Sequence, residues 1–231
     1  MEILAIIPAR GGSKGLPGKN TRSLAGTPLI TYTIKAAMES KSITRIIVST
    51  DDESISTVAT EAGAEVPFLR PANLSGDQAS GIDTCLHALE YANNKLDYQP
   101  EHVAYLQPTS PLRTASDIDT AANLLTQSGA DSVISLKAVT EYPQWMKTMD
   151  VEHRINPLFE LSEIATTRQN LEKSYILNGA IYLSTTPSLK NNKSFYGDDT
   201  RGYLMPDERS IDIDTLNDFY IAEALLSHKE S

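Results

Sequence analysis

The residues best placed to do chemistry are three cations in one glycine-rich segment and two aspartates one residue apart near the far end of the chain. Arg10, Lys14 and Lys19 lie in Ile7-Pro-Ala-Arg-Gly-Gly-Ser-Lys-Gly-Leu-Pro-Gly-Lys-Asn20. Glycines let backbone N–H groups come close to an anion, and three cations would offset the charge of a triphosphate. Two familiar phosphate loops do not fit: Gly18-Lys19 is followed by Asn20 rather than Ser or Thr, and no G-x-G-x-x-G spacing occurs. The aspartates, Asp212 and Asp214, flank Ile213. In a strand they would share one face about 6–7 Å apart, with Ile211 and Ile213 turned to the core, so both could reach one cation. Oxygen ligands completed by water and phosphate suit Mg²⁺, with Mn²⁺ able to substitute. Asp214 could also cap the last helix, a role compatible with metal binding. The adjacent pair Asp51 and Asp52 would diverge if extended, and Asp52 is better placed to cap the helix that follows. His87, His102, His153 and His228 show no metal-ligand spacing.

The elements needed to position these residues follow from periodicity. Residues 3–7 are an apolar run of strand length that ends at Pro8 and leads into the basic loop. Thr27 and Pro28 read as the start of a helix with Leu29, Ile30, Ile34, Ala37 and Met38 at helical spacing. Strands are expected at 45–50, 66–69, 102–106 and 132–136, and helices at 52–62, 80–93 and 116–127. Such alternation implies an α/β fold: a doubly wound, mostly parallel sheet with right-handed crossovers. The rhythm breaks at 137–174, which holds Trp145, the single tryptophan. Strands at 180–184 and 210–213 then return to the sheet, and an amphipathic helix at 216–228 follows. The expected organisation is a catalytic domain from 1–136 and 175–231 with 137–174 as an insertion.

Length and composition agree with one globular domain, 231 residues with 40% hydrophobic and 22% charged side chains. A net charge of -10 argues against nucleic acid as a partner. Yet no acidic residue occurs between Glu2 and Glu39, an interval that carries Arg10, Lys14, Lys19, Arg22 and Lys35. A local basic segment in an acidic protein points to a small bound anion. Cys85 is the single cysteine and sits in an apolar pattern, so it reads as a buried hydrophobe; together with the lack of a targeting or membrane segment this suggests the cytoplasm.

The segment IPARGGSKGLPGKN resembles the signature of the CMP-acylneuraminate synthetases, also called acylneuraminate cytidylyltransferases. Three further stretches resemble the same family in the same order: Arg70-Pro-Ala-Asn-Leu-Ser-Gly-Asp77, Leu106-Gln-Pro-Thr-Ser-Pro-Leu-Arg113, and Asn178-Gly-Ala-Ile-Tyr182 with Ser210-Ile-Asp-Ile-Asp214. The resemblance implies a Rossmann-like nucleotidyltransferase fold that dimerises through the 137–174 insertion. It implies that Ala9, Arg10, Gly11, Gly12, Lys14, Lys19, Asn20, Arg70 and Ser80 hold CTP. Gly81 stands where some family members carry a second serine. By the same resemblance Gln107, Lys147, Arg168, Asn178 and Tyr182 contact the sugar, Arg168 taking its carboxylate; Tyr182 could equally be ordinary packing.

The reaction so implied is attack by the anomeric hydroxyl of an acidic nine-carbon keto-sugar on the α-phosphorus of CTP, releasing pyrophosphate. Arg10, Lys14, Lys19 and Asp212 would be the catalytic residues, acting by in-line positioning and charge stabilisation with Mg²⁺. N-acetylneuraminate is the expected sugar, with legionaminate the alternative that Trp145 favours through an apolar pocket wall. An eight-carbon keto-acid (Kdo) synthetase is the nearest rival within the chemistry. A glycosyltransferase and a non-catalytic nucleotide-binding regulator are the readings outside it.

Overall fold

A computed structural model describes residues 2–13, 15–76, 79–158 and 171–229, with the side chain of Lys229 not included. Lys14 and Arg168 lie outside the described residues.

A six-stranded sheet runs in the order β10-β6-β9-β5-β1-β4. Its strands are β1 (Ile3–Pro8), β4 (Arg45–Ser49), β5 (His102–Tyr105), β6 (Ser132–Ala138), β9 (Tyr175–Thr185) and β10 (Thr200–Leu204). Every neighbouring pair is parallel except those made by β9, which is antiparallel to both β5 and β6. Helices cover both faces, as the strands' apolar runs require. Ile3, Ala5 and Ile7 of β1 face a core shared with α1 (Leu29–Glu39), α2 (Glu53–Glu61) and α4 (Ala115–Ser128). Leu4 and Ile6 face the opposite core, built with α3 (Gly81–Lys95) and α5 (Thr186–Asn192), where Cys85 is fully buried and burial pushes its thiol pKa up.

Local signals set the helix starts. Asp52 caps α2 by accepting from the Ser54 and Ile55 N–H groups. Ser80 caps α3, and Thr114 with Asp117 forms a reciprocal capping box on α4, which ends at Gly129 with φ 67°.

Three expectations are corrected. Thr27 does not cap α1: Thr27–Pro28 is a short strand, β3, paired with Ser23–Leu24, β2, and Pro28 precedes the helix without a side-chain cap. Residues 66–69 form no strand, only an isolated bridge from Leu69 to Thr50, with another just before them from Glu65 to Ile47. Residues 210–213 do not join the sheet, whose edge is taken by β10. After β10, Pro206 and a single 3₁₀ turn (Asp207–Arg209) redirect the chain, and the backbone of 210–214 is tied to the loop after β5 by a bond from Ile213 N–H to the Thr109 carbonyl, 2.8 Å.

The break in rhythm at 137–174 contains a 3₁₀ turn, Pro143–Trp145, and an antiparallel hairpin of β7 (Lys147–Met149) and β8 (Ile155–Pro157). Helix α6 (Leu216–Lys229) closes the described chain. Its Phe219 and Ala222 meet Leu16, Leu24, Leu29 and Ile213 in a third small core. That core joins the glycine-rich loop to the aspartate segment. Among the described residues no helix is long and apolar enough to cross a membrane.

Candidate active site

Strand order reverses at β1 and β5: the chain leaves β1 toward β4 and later returns to the other side of β1 as β5. Open α/β sheets bind ligands beyond the strand ends at such a point. A cleft of about 520 Å³ opens there, with Pro8 and Arg10 after β1 and Gln107, Pro108 and Thr109 after β5 on its walls. Lys19, Asn20, Arg70 and Asp214 also line it, so residues separated by some two hundred positions in sequence meet in one place.

The glycine-rich loop is held from several sides. Asn20 is buried and its side-chain amide donates to the Arg10 carbonyl at 3.0 Å. Gly11 N–H donates to Asp51 at 3.1 Å, and Ala9 N–H extends the strand pairing to the Ser49 carbonyl at 3.0 Å. Gly18 turns with φ 65°. Lys19 reaches across to donate to the Ile213 carbonyl at 2.5 Å and to Asp214 Oδ1 at 3.2 Å. Gly15 faces the same segment so closely that a Cβ there would lie 2.6 Å from the Asp214 carbonyl oxygen.

Arg70 is 7% exposed and ties its side of the cleft to α3, donating to Thr84 Oγ1 at 3.3 Å with Asp51 at 3.7 Å. Burial lowers the pKa of its guanidinium and the Asp51 charge partly restores it. Its Nε and Nη2 have no hydrogen-bond partner among the described residues, a demand that an anionic or carbonyl-bearing ligand would meet.

The aspartates differ in setting. Asp212 is half-buried; burial raises its carboxyl pKa, Thr109 opposes this by donating a hydrogen bond, and Asp214 adds to the rise. Its Oδ1 is buried and unpartnered among the described residues. Asp214 is open, its side chain 76% exposed. It does not cap α6: Thr215 and Asp218 do so reciprocally, at 2.7 and 3.3 Å. Among the described residues no group of three or more His, Cys, Asp or Glu side chains is arranged to hold a metal. Two carboxylates, one with an orphaned oxygen, do fit Mg²⁺, which takes few protein ligands and fills its shell with water and substrate oxygens.

Strand β9 brings the remaining motif into place through an irregularity. Ile134 pairs with Tyr182 but Leu136 with Leu177, so β9 loops out around Gly179, φ 72°. A Cβ at Gly179 would fall 2.8 Å from Gln107 Oε1 and 3.2 Å from Asp212 Oδ2. Gln107, Gly179 and Asp212 therefore converge.

Several expected site residues have polar groups engaged within the fold. Asn178 is 3% exposed and committed internally, accepting from Ser135 Oγ and Ala180 N–H and donating to Ser210 Oγ. Tyr182 packs against Phe195 and Tyr105, at ring centroid distances of 5.1 and 6.3 Å. Ser80 is occupied as the α3 cap, donating to Asp83 at 2.7 Å. Ala9, Gly11, Gly12, Ser80, Asn178, Tyr182 and Asp212 do not line the cleft, nor does Lys147, exposed on the hairpin; Asp212 lies beside Gln107 and Thr109, which do.

Two residues in the quoted motifs carry more than sequence reasoning assigned them. Thr109 serves Asp212 and the 210–214 segment together. Arg113 is buried and donates to the carbonyls of Gln107 (3.2 Å) and Ala180 (2.7 Å), bracing both walls behind the cleft. A basic residue that ends an otherwise apolar Pro-Leu stretch was the available signal.

The family model described as cytidylyltransferase matches residues 4–217. Over 229 residues the chain is 41% identical to the CMP-N,N'-diacetyllegionaminic acid synthase of Legionella pneumophila, covering 98% of this chain and 97% of that protein. It is 36% identical over 229 residues to the N-acylneuraminate cytidylyltransferase of Escherichia coli, covering 99% of this chain and about half, 53%, of that longer protein. Among solved structures, CMP:2-keto-3-deoxy-manno-octonic acid synthetase complexed with CTP matches with a TM-score of 0.71, covering 99% of this chain and all of that one. At 17% identity this likeness shows a shared fold alone.

Proposed function

This chain belongs to the cytidylyltransferase family of CTP-dependent nucleotidyltransferases, and on that premise we propose that it activates a nonulosonic acid, coupling it to CTP to give a CMP-sugar and pyrophosphate. The observation that carries the reading is the meeting in one cleft of a basic glycine-rich loop with Asp214, next to a half-buried Asp212 whose inner oxygen is unpartnered among the described residues. Phosphates would lie along Arg10, Lys19 and the open side of Arg70, with Lys14 as a further cation. Mg²⁺, held by Asp212 and Asp214, would neutralise phosphate charge when bound. The sugar's anomeric oxygen bonds to the α-phosphorus as the bond to the β-phosphate oxygen breaks, and the hydroxyl proton leaves to solvent or to a nearby base. Lys19, already on Asp214, keeps loop and acid in register. Gln107, beside Asp212 at the Gly179 bulge, would face the sugar.

For the sugar we favour an N,N'-diacetylated legionaminate over the N-acetylneuraminate expected from motifs. Support comes from 41% identity extending over 97% of the legionaminate relative, against 36% over about half of the neuraminate enzyme. The decisive assay supplies CTP, Mg²⁺ and each nonulosonic acid in turn and measures pyrophosphate and CMP-sugar. Faster turnover of N-acetylneuraminate would reverse the substrate order; no CMP-sugar with any of them would refute the function.

We also propose a homodimer. Met149, Val151 and Ile155 on the hairpin and Tyr175, Ile176 and Leu177 at the start of β9 are exposed apolar side chains that a second copy would cover. A monomer by light scattering at micromolar concentration would refute it.

A further inference from the structure

Tyr105 ends β5 and lines the cleft, yet none of the roles above uses it. Its ring is gripped by Phe195, at a centroid distance of 4.8 Å, and by Tyr182, leaving the residue 5% exposed. Its hydroxyl makes no hydrogen bond among the described residues and is not itself a buried atom, so it faces the cleft with its donor and acceptor unused. Burial raises its pKa further above the usual phenol value.

Gly81 shows where the hydroxyl sits. A Cβ at 81 would lie 3.0 Å from Tyr105 Oη and 3.4 Å from Cζ. Gly81 opens α3, its φ is not left-handed, and Ser80 already provides the cap. The backbone therefore gives no reason for glycine there, and glycine is a poor helix former. Room for the tyrosine tip is the reason that remains. The hydroxyl thus sits against the start of α3, close enough to Arg70 for each to feel the other's charge, in a cleft that Leu74 and Ala79 also line.

We infer that the Tyr105 hydroxyl is a specificity-determining contact to the pyrimidine ring of the nucleotide, with Gly81 kept small to admit it. The inference rests on CTP occupying this cleft. An uncharged phenol adds little to a triphosphate already faced by several cations, whereas a ring with carbonyl and amino edges offers it both donors and acceptors. The apolar side chains of Leu74 and Ala79 suit the faces of a flat ring.

The test uses the full chain and measures binding of CMP, dCMP and inorganic tripolyphosphate by calorimetry, with thermal melts to verify folding. Tyr105→Phe keeps the packing and removes only the oxygen. It should weaken CMP and dCMP alike by roughly five- to tenfold and leave tripolyphosphate unchanged. Gly81→Ala should weaken CMP as well, by displacing the oxygen, and should add little once Tyr105 is Phe. Unchanged CMP binding by Tyr105→Phe would overturn the inference. So would an equal loss for tripolyphosphate, which marks a phosphate contact, or a loss confined to CMP, which marks the ribose. If the unaltered enzyme neither binds CMP nor consumes CTP, the parent reading fails too; normal CTP use with an indifferent Tyr105→Phe sinks only this one.

Discussion

Replacing Asp117 by Asn should destabilise the protein more than any single surface change. Asp117 is 0% exposed, and accepts from Thr114 N–H and Oγ1, from Tyr203 Oη at 2.8 Å, and from Arg209 Nε and Nη2 at 3.0 and 2.9 Å. It is also the charge that offsets buried Arg113. Burial alone would raise its carboxyl pKa, but Arg209, Thr114 and Tyr203 reverse that and hold it below the usual value. Asn keeps the shape, removes the charge and turns an NH₂ toward donors. Breaking one side of a buried ion pair costs about 3–5 kcal/mol. For a chain of this length each kcal/mol moves Tm by about 2–4 °C, so a fall of about 6–20 °C is expected. The carboxylate's contribution is complete above its unfolded pKa, near about 4, and is lost as pH drops through the lower folded value. The gap between the wild type and Asp117→Asn must therefore close in acid. Circular-dichroism melts at neutral and acid pH test this. A melting point within about 2 °C of the wild type at neutral pH, or a gap that widens in acid, would refute the reasoning.

Asp212→Asn and Asp214→Asn should each lower kcat at least about a hundredfold with melting curves preserved, since each removes a proposed metal ligand; near-normal turnover at saturating Mg²⁺ would remove that assignment. Gly15→Ala should cost roughly tenfold to a hundredfold in kcat with little change in Tm, because its Cβ would push the basic loop away from the Asp214 carbonyl. If activity and stability fall in proportion, the loop is a folding element and not a positioning one. Arg168→Ala should raise KM for the sugar and leave KM for CTP nearly unchanged, by loss of a charge-assisted contact; parallel loss of CTP affinity would move Arg168 to the nucleotide side.

How much of this was readable from sequence depended on whether a segment's signal was local. The buried strands β1, β4, β5 and β6 announce themselves because burial on both faces forces continuous apolar runs, and the caps at Asp52, Ser80 and Thr114 are single-residue statements. Strand β10, Thr-Arg-Gly-Tyr-Leu, leaves Arg201, Gly202 and Leu204 exposed at the sheet edge, so it shows no apolar run to find. Ser210-Ile-Asp-Ile has perfect strand alternation but pairs with no strand, and Ile213 packs instead into the third core under α6. Its apolar side still points inward. The alternation was a true report of burial and a false one of hydrogen bonding.

The same distinction explains the site. Residue types revealed which groups could meet a triphosphate and a metal, but not which polar atoms the fold consumes for itself. Asn178 and Ser80 have every reason to be ligand contacts by type, yet one is spent inside the β9 bulge and the other on a helix cap. Arg113 was passed over although both cleft walls lean on its guanidinium. Glycines proved the better guides: Gly15 and Gly179 are each forced small by the approach of the aspartate segment, to the Asp214 backbone and to the Asp212 carboxylate with Gln107. A catalytic side chain can be exchanged for another with only activity at stake, whereas a Cβ at either glycine would separate the loop or the bulge from the acid pair. The close approach of those backbones is what makes one site out of motifs so far apart in the chain.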